Sequence, residues 1–174
     1  MSGNVQTAIN EVQIREEYQS SAKFFANKIE EDLCNRFPME LVRDSYFDAT
    51  FHAEHDPYRE FDTTDAIDLM EADGTKVQIK GCLVWTKTAN GRRRGRYRLW
   101  LPDHVRLVED DAVYLFVVYD PTAPTPIQKT RFIRARDLER VAGRVTWMDA
   151  THSTKRGKPA NVVHTRVFPD EEVA

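Results

Sequence analysis

Four polar side chains fall close together in the stretch TDAIDLMEADGTKVQIKGC, residues 64–82: Asp65, Asp68, Gln78 and Lys80. A carboxylate and an amide oxygen on one face can hold a hard divalent cation. Mg²⁺ suits such donors, because it takes oxygen ligands, keeps several waters and accepts one or two protein carboxylates plus a substrate phosphate; Mn²⁺ suits them as well. A cation placed there polarises a phosphodiester and lowers the pKa of a bound water. A lysine alongside can orient or deprotonate that water, or stabilise the charge that builds in the transition state.

The elements that must position these groups are two strands, 64–72 and 75–85, joined at Asp73-Gly74, a dipeptide suited to a hairpin turn. Alternate side chains of a strand share a face, so Gln78 and Lys80 point one way while Val77 and Ile79 point the other. A two-residue turn would put Asp65 beside Lys80 and send Asp68 to the opposite face. A three-residue loop or a bulge reverses this and brings Asp68 opposite Gln78. Parity favours Asp65, with Asp68 in reserve.

An aspartate opening one strand, followed by an acid-x-lysine triplet on the next, resembles the PD-(D/E)xK nuclease superfamily, which includes many restriction endonucleases and archaeal Holliday junction resolvases. Thr64-Asp65 stands where that family has Pro-Asp, and Gln78-Ile79-Lys80 where it has (D/E)-x-K. The resemblance covers about residues 20–120. It implies an α/β domain with a restriction endonuclease-like mixed central sheet flanked by helices, acting as a Mg²⁺-dependent DNA endonuclease in restriction, defence or junction processing. Asp65, Gln78 and Lys80 would be catalytic, with Asp65, Gln78 and Asp68 on the metal. Cutting both strands calls for two sites, so a homodimer is implied. Gln78 departs from the family acid and removes one negative charge from the metal site. Some members of the superfamily carry glutamine there, and Asp68, Glu71, Glu54 or Glu40 could supply a further acid. The same departure sustains the alternative of a non-catalytic nucleic-acid-binding module that keeps the fold without the metal.

The charge pattern points to the same partner. Residues 1–75 sum to −11, residues 76–106 to +8 and residues 107–174 to zero, within a net charge of −3. A local positive block binds a polyanion whatever the total. GRRRGRYRLW sets Arg92, Arg93, Arg94, Arg96 and Arg98 next to Tyr97 and Trp100. Guanidinium groups grip phosphates through forked hydrogen bonds, and aromatic rings stack on exposed bases. Lys155, Arg156 and Lys158 form a second candidate phosphate contact in a polar loop.

The remaining chain reads as a scaffold for these groups. Tyr18, Ala22, Phe25, Ile29 and Leu33 share one face of a helix over 5–35 that packs on a sheet. SYFDATFHA, 45–53, reads as a strand, and TANGRRRGR as a loop with an Asn-Gly turn. YRLWLPDHVRLV gives a short strand and a helical turn. AVYLFVVYD, 112–120, is the continuous apolar run of a central strand covered on both faces. RARDLERVA, 134–142, reads as a short helix, and 143–168 as two strands around a basic loop. Trp85 and Trp147 are assigned to core or interface, and Cys82 to core rather than to nucleophilic chemistry. His52 and His55 fall on opposite faces of a strand with no third ligand, which argues against zinc.

With 41 % hydrophobic and 30 % charged residues, the 174-residue chain has the balance of one globular domain, with a nuclease-like core over 20–120 and a C-terminal extension over 121–174. Two cysteines are too few for a disulfide framework. No apolar run of membrane-spanning length occurs, and the first residues lack a basic-then-apolar leader. The expected setting is the cytoplasm, with no membrane partner.

Overall fold

The computed structural model describes residues 26–52, 74–149 and 157–169. Its centre is a five-stranded mixed sheet in the order β1-β2-β3-β7-β8. The strands are β1 (Met39–Leu41), β2 (Ala49–Phe51), β3 (Lys76–Leu83), β7 (Val113–Tyr119) and β8 (Ile127–Arg134). β3 and β7 run parallel, and every other neighbouring pair is antiparallel. Between β3 and β7 the chain makes a hairpin, β4 (Trp85–Thr88) and β5 (Gly91–Arg94), then β6 (Arg96–Trp100) and the helix α2 (Leu101–Glu109). A 3₁₀ turn and α3 (Leu138–Ala142) follow β8, and the described chain closes with β9 (Pro159–Val163) and the single turn α4 (His164–Val167).

Side-chain alternation along β3 and β7 divides the core in two. Val77, Ile79, Val113, Leu115 and Val117 face α1 (the helical residues 26–36) and meet its Ile29 and Leu33. Tyr114, Phe116, Val118 and Cys82 face the other way, against Tyr97 and Leu99 of β6, Leu107 of α2, and Ala160 and Val162 of β9. β7 is buried on both faces, which explains its unbroken apolar run. β6 and β9 pair antiparallel, Arg96 with Val163 through Trp100 with Pro159, to form a small second sheet over this face. The α/β architecture with a mixed central sheet flanked by helices is therefore as the sequence implies.

Several local expectations change. The strand beside the start of β3 is β2, with Ala49 opposite Val77; the expected strand 64–72 lies outside the described residues. The helical pattern is described from residue 26 onward, so Tyr18, Ala22 and Phe25 lie outside too. The basic stretch is not a loop: β4 and β5 form a hairpin around Ala89-Asn90, and Gly91, at φ 133°, supplies the backbone that the turn requires. Among the described residues of 143–168 there is one strand, β9. Residues 143–149 lack regular structure, although Met148 N–H bonds the Pro159 carbonyl at 2.8 Å.

The hairpin is closed at its base by the Gly95 N–H bond to the Val84 carbonyl, 3.1 Å. A Cβ at position 95 would sit 1.7 Å from the Leu83 carbonyl oxygen. Only glycine lets the two chain ends approach this closely.

Candidate active site

β2 ends its ladder with β3 at Ala49, and Asp48 stands just before it. The Asp48 N–H still bonds the Val77 carbonyl at 2.8 Å, but the next amide of β3, Ile79 N–H, has no backbone partner from β2. The Asp48 carboxylate takes that place. Its Oδ2 accepts from Ile79 N at 2.7 Å and from Gln78 Nε2 at 2.5 Å. A sheet amide left open by the divergence of two strands thus fixes a carboxylate beside Gln78. The chain ahead of Asp48 is held as well: Lys76 Nζ donates to the Tyr46 hydroxyl at 3.0 Å and to Asp110 at 2.7 Å, and lies over the Phe47 ring.

Gln78 and Lys80 lie on the same face of β3, as alternation requires, and line a cleft of about 450 Å³ with Asp48, Tyr46, Trp100, Asp103 and Arg106. Asp103 is in the first turn of α2, whose leading amide is satisfied by the Lys158 carbonyl at 2.8 Å. Arg106, one turn on, lies with its guanidinium 5.6 Å from the centre of the Tyr46 ring. Desolvation is the largest influence on Asp48 and raises its pKa; Asp103 raises it further, while the Ile79 amide, Lys80 and Gln78 pull it down without reversing the direction. Glu30 of α1 borders Asp48 from the other side across a small cavity shared with Arg43. Burial and the Asp48 charge push the Glu30 carboxyl up.

A family model described as the PD-(D/E)XK nuclease superfamily domain matches residues 16–169. The chain belongs to that superfamily. None of the curated proteins or solved structures compared with it matches. The match extends beyond residue 120, where the sequence resemblance ends, and takes in β8, α3 and β9. As a PD-(D/E)XK domain the chain has a nuclease-type function with nucleic acid as the implied substrate. No helix among the described residues is long and apolar enough to cross a membrane.

Of the sequence candidates, the structure brings Gln78 and Lys80 together in the cleft, while Asp65 and Asp68 lie outside the described residues. The carboxylate bonded to this PD-(D/E)XK triplet is Asp48, within Phe47-Asp48, which the sequence reading passed over as part of a strand. Of the further acids considered, Glu40 pairs with His52 at 2.8 Å and is absent from the cleft lining, and Glu54 and Glu71 lie outside the described residues. Asp103, Arg106 and Glu30 were also missed. Asp103 carried a signal, as the single acid of the +8 block.

The basic block divides. Arg96 and Arg98 are exposed on β6, and Arg98 lies 5.1 Å from the centre of the Trp100 ring at the edge of the cleft. Arg92, Arg93 and Arg94 are on the hairpin. Tyr97 is 1 % exposed and belongs to the core, which removes it as a stacking surface. Lys158 pairs with Asp149 at 2.9 Å, and Lys155 and Arg156 lie outside the described residues. Cys82 is buried, its thiol pushed up to about 11 mainly by desolvation, in keeping with a core role.

The donor chemistry of the cleft fits Mg²⁺ or Mn²⁺. Both bonds to Asp48 fall on Oδ2, and neither uses Oδ1. Gln78 turns its amide nitrogen to Asp48, which leaves its Oε1 as a neutral oxygen donor. Among the described residues no group of three His, Cys, Asp or Glu could hold a metal ion by itself. Water and substrate phosphate would have to complete the coordination, as Mg²⁺ sites commonly allow.

Proposed function

We propose that this protein is a metal-dependent DNA endonuclease that hydrolyses phosphodiester bonds in the cleft between β2, β3 and α2. The observation that carries the reading is the bonding of one Asp48 oxygen by both Gln78 and Ile79, which places a carboxylate, an amide oxygen and Lys80 along one wall. We assign to Asp48 the role that sequence spacing gave to Asp65. Asp48 and Gln78 would hold the cation, with Asp103 available as a second carboxylate. The cation would polarise the phosphodiester and make the attacking water more acidic. Lys80 orients that water and offsets the negative charge that grows on the phosphate. Arg106, stacked on Tyr46, holds a non-bridging phosphate oxygen of the substrate.

The setting we propose is restriction or other defence against foreign DNA, with junction processing second, and a homodimer wherever both strands are cut. The test is cleavage of supercoiled plasmid, branched DNA and single strands with Mg²⁺, Mn²⁺ or EDTA, with Lys80→Ala as control. Metal-dependent cleavage lost in the variant supports the nuclease. Salt-sensitive binding without cleavage under any metal would favour the non-catalytic module, for which the Gln78–Asp48 bond speaks, since the site holds together by hydrogen bonds alone.

A further inference from the structure

Trp85, expected in the core or an interface, opens the β4–β5 hairpin with 36 % of its surface exposed. The register pairs Trp85 with Arg94 and Lys87 with Arg92, so these four side chains share one face of the hairpin. The guanidinium carbons of Arg92 and Arg94 lie 4.6 and 5.2 Å from the centre of the indole ring. Among the described residues none of the three cations forms an ion pair. A cavity of about 430 Å³ adjoins the indole, walled by Leu83, Val84, Lys87, Tyr119 and Pro121. The single carboxylate in its lining, Asp120, is bonded by the Thr122 N–H and hydroxyl at 2.9 and 2.7 Å.

The indole meets the two arginines by cation–π contact, which leaves their charge without a carboxylate partner among the described residues. Three cations repel one another there, and an aromatic surface stays in water beside a concave wall. One kind of ligand relieves both conditions: a flat ring flanked by anions, which is a nucleotide in a strand. A base paired inside a duplex keeps its faces covered by its neighbours, so the base must be unpaired.

We propose that the β4–β5 hairpin is a second nucleic-acid subsite, apart from the catalytic cleft, that stacks an unpaired base on Trp85 and holds its flanking phosphates with Lys87, Arg92 and Arg94. It rests on the reading of DNA as the substrate. Trp85 follows Lys80 by five positions, so at roughly 3.3 Å per residue the two lie no more than about 17 Å apart. That upper bound spans about five stacked nucleotides at roughly 3.4 Å each. The subsite therefore engages the substrate within about five nucleotides of the bond that is cut, and it favours DNA with a single-stranded segment near the cleavage position.

The test is fluorescence anisotropy of the full chain in EDTA with three labelled DNAs of one sequence: a single strand, a blunt duplex and a duplex with a single-stranded overhang. Trp85→Ala should weaken the single strand and the overhang about 10-fold or more, as loss of one stacked base does, and leave the blunt duplex within about two-fold. Trp85→Phe, which keeps a ring, should recover most of the loss. An equal effect on all three DNAs, or none, would overturn the subsite. If wild type cleaves plasmid with metal but Trp85→Ala shows no preference change, the subsite alone falls. If wild type binds none of the DNAs, the DNA reading falls with it.

Discussion

Gln78 donates its amide to Asp48 across 2.5 Å, joining the triplet strand to a residue 30 positions earlier in the chain. The superfamily pattern has an acid at position 78, and an acid there would face Asp48 with like charge. The glutamine instead ties the carboxylate down by a hydrogen bond.

Replacing that amide by a carboxylate should therefore make the fold depend on metal. In EDTA at neutral pH, Gln78→Glu loses a charge-assisted hydrogen bond of about 1–3 kcal/mol, which lowers Tm by roughly 2–10 °C for a chain of this size. Added Mg²⁺ should raise the Tm of the variant by more than that of wild type. Thermal melts of both proteins across a metal titration read the difference directly, and equal shifts would show that position 78 is remote from the cation.

The aspartate assignment separates two variants. Asp48→Asn should cut plasmid cleavage by at least about a hundred-fold, since it removes the negative charge proposed to hold the cation while keeping an oxygen to accept from Ile79 N–H. Asp65→Asn should retain cleavage. The reverse result would return the role to the 64–72 segment.

Arg106 lines the cleft and stacks on Tyr46 without an ion pair among the described residues. Arg106→Ala should weaken DNA binding for all sequences alike and lower the salt slope of log K by about one, the signature of a single lost phosphate contact. Arg106→Lys keeps the charge and should fall between. A salt slope equal to that of wild type would place the guanidinium off the DNA.

Acid should destabilise the fold through two histidines. His104 shares a 2.9 Å hydrogen bond with the Tyr114 hydroxyl, and His164 is 3 % exposed with Nε2 bonded to the Val84 carbonyl at 3.1 Å. Burial is the largest influence on each and lowers its pKa below the ordinary 6.5. The unfolded chain then binds more protons than the folded one as the pH drops below about 6.5. Their contribution is complete above that value and is lost as the pH falls toward the folded pKa. Denaturant melts at pH 7.5 and 5.5 should show the loss, and His164→Gln should reduce it.

How much of this was legible in the sequence depends on how local the determinant is. Alternation along β3 put Gln78 and Lys80 on one face without reference to any partner, and the apolar run of β7 declared a doubly covered strand. Asp48 was not legible, because its role comes from an amide of β3 that lies open only where β2 stops. Asp65 and Asp68 drew attention instead by being near in sequence and next to an Asp-Gly turn. The arm containing Trp85 was half legible: Asn90-Gly91 signalled a turn. Its flanks, WTKT and GRRR, lack the apolar alternation by which strands are recognised. A hairpin that buries little on either face leaves no such mark.

The closure of that arm at Val84 and Gly95 gives it the status of a cassette. The chain leaves the sheet at one residue and returns at a hydrogen-bonded neighbour, so the ten residues between can lengthen, shorten or change without moving β3 or β6. Selection, or a protein engineer, can thus rewrite what the proposed subsite prefers while the proposed catalytic cleft stays as it is.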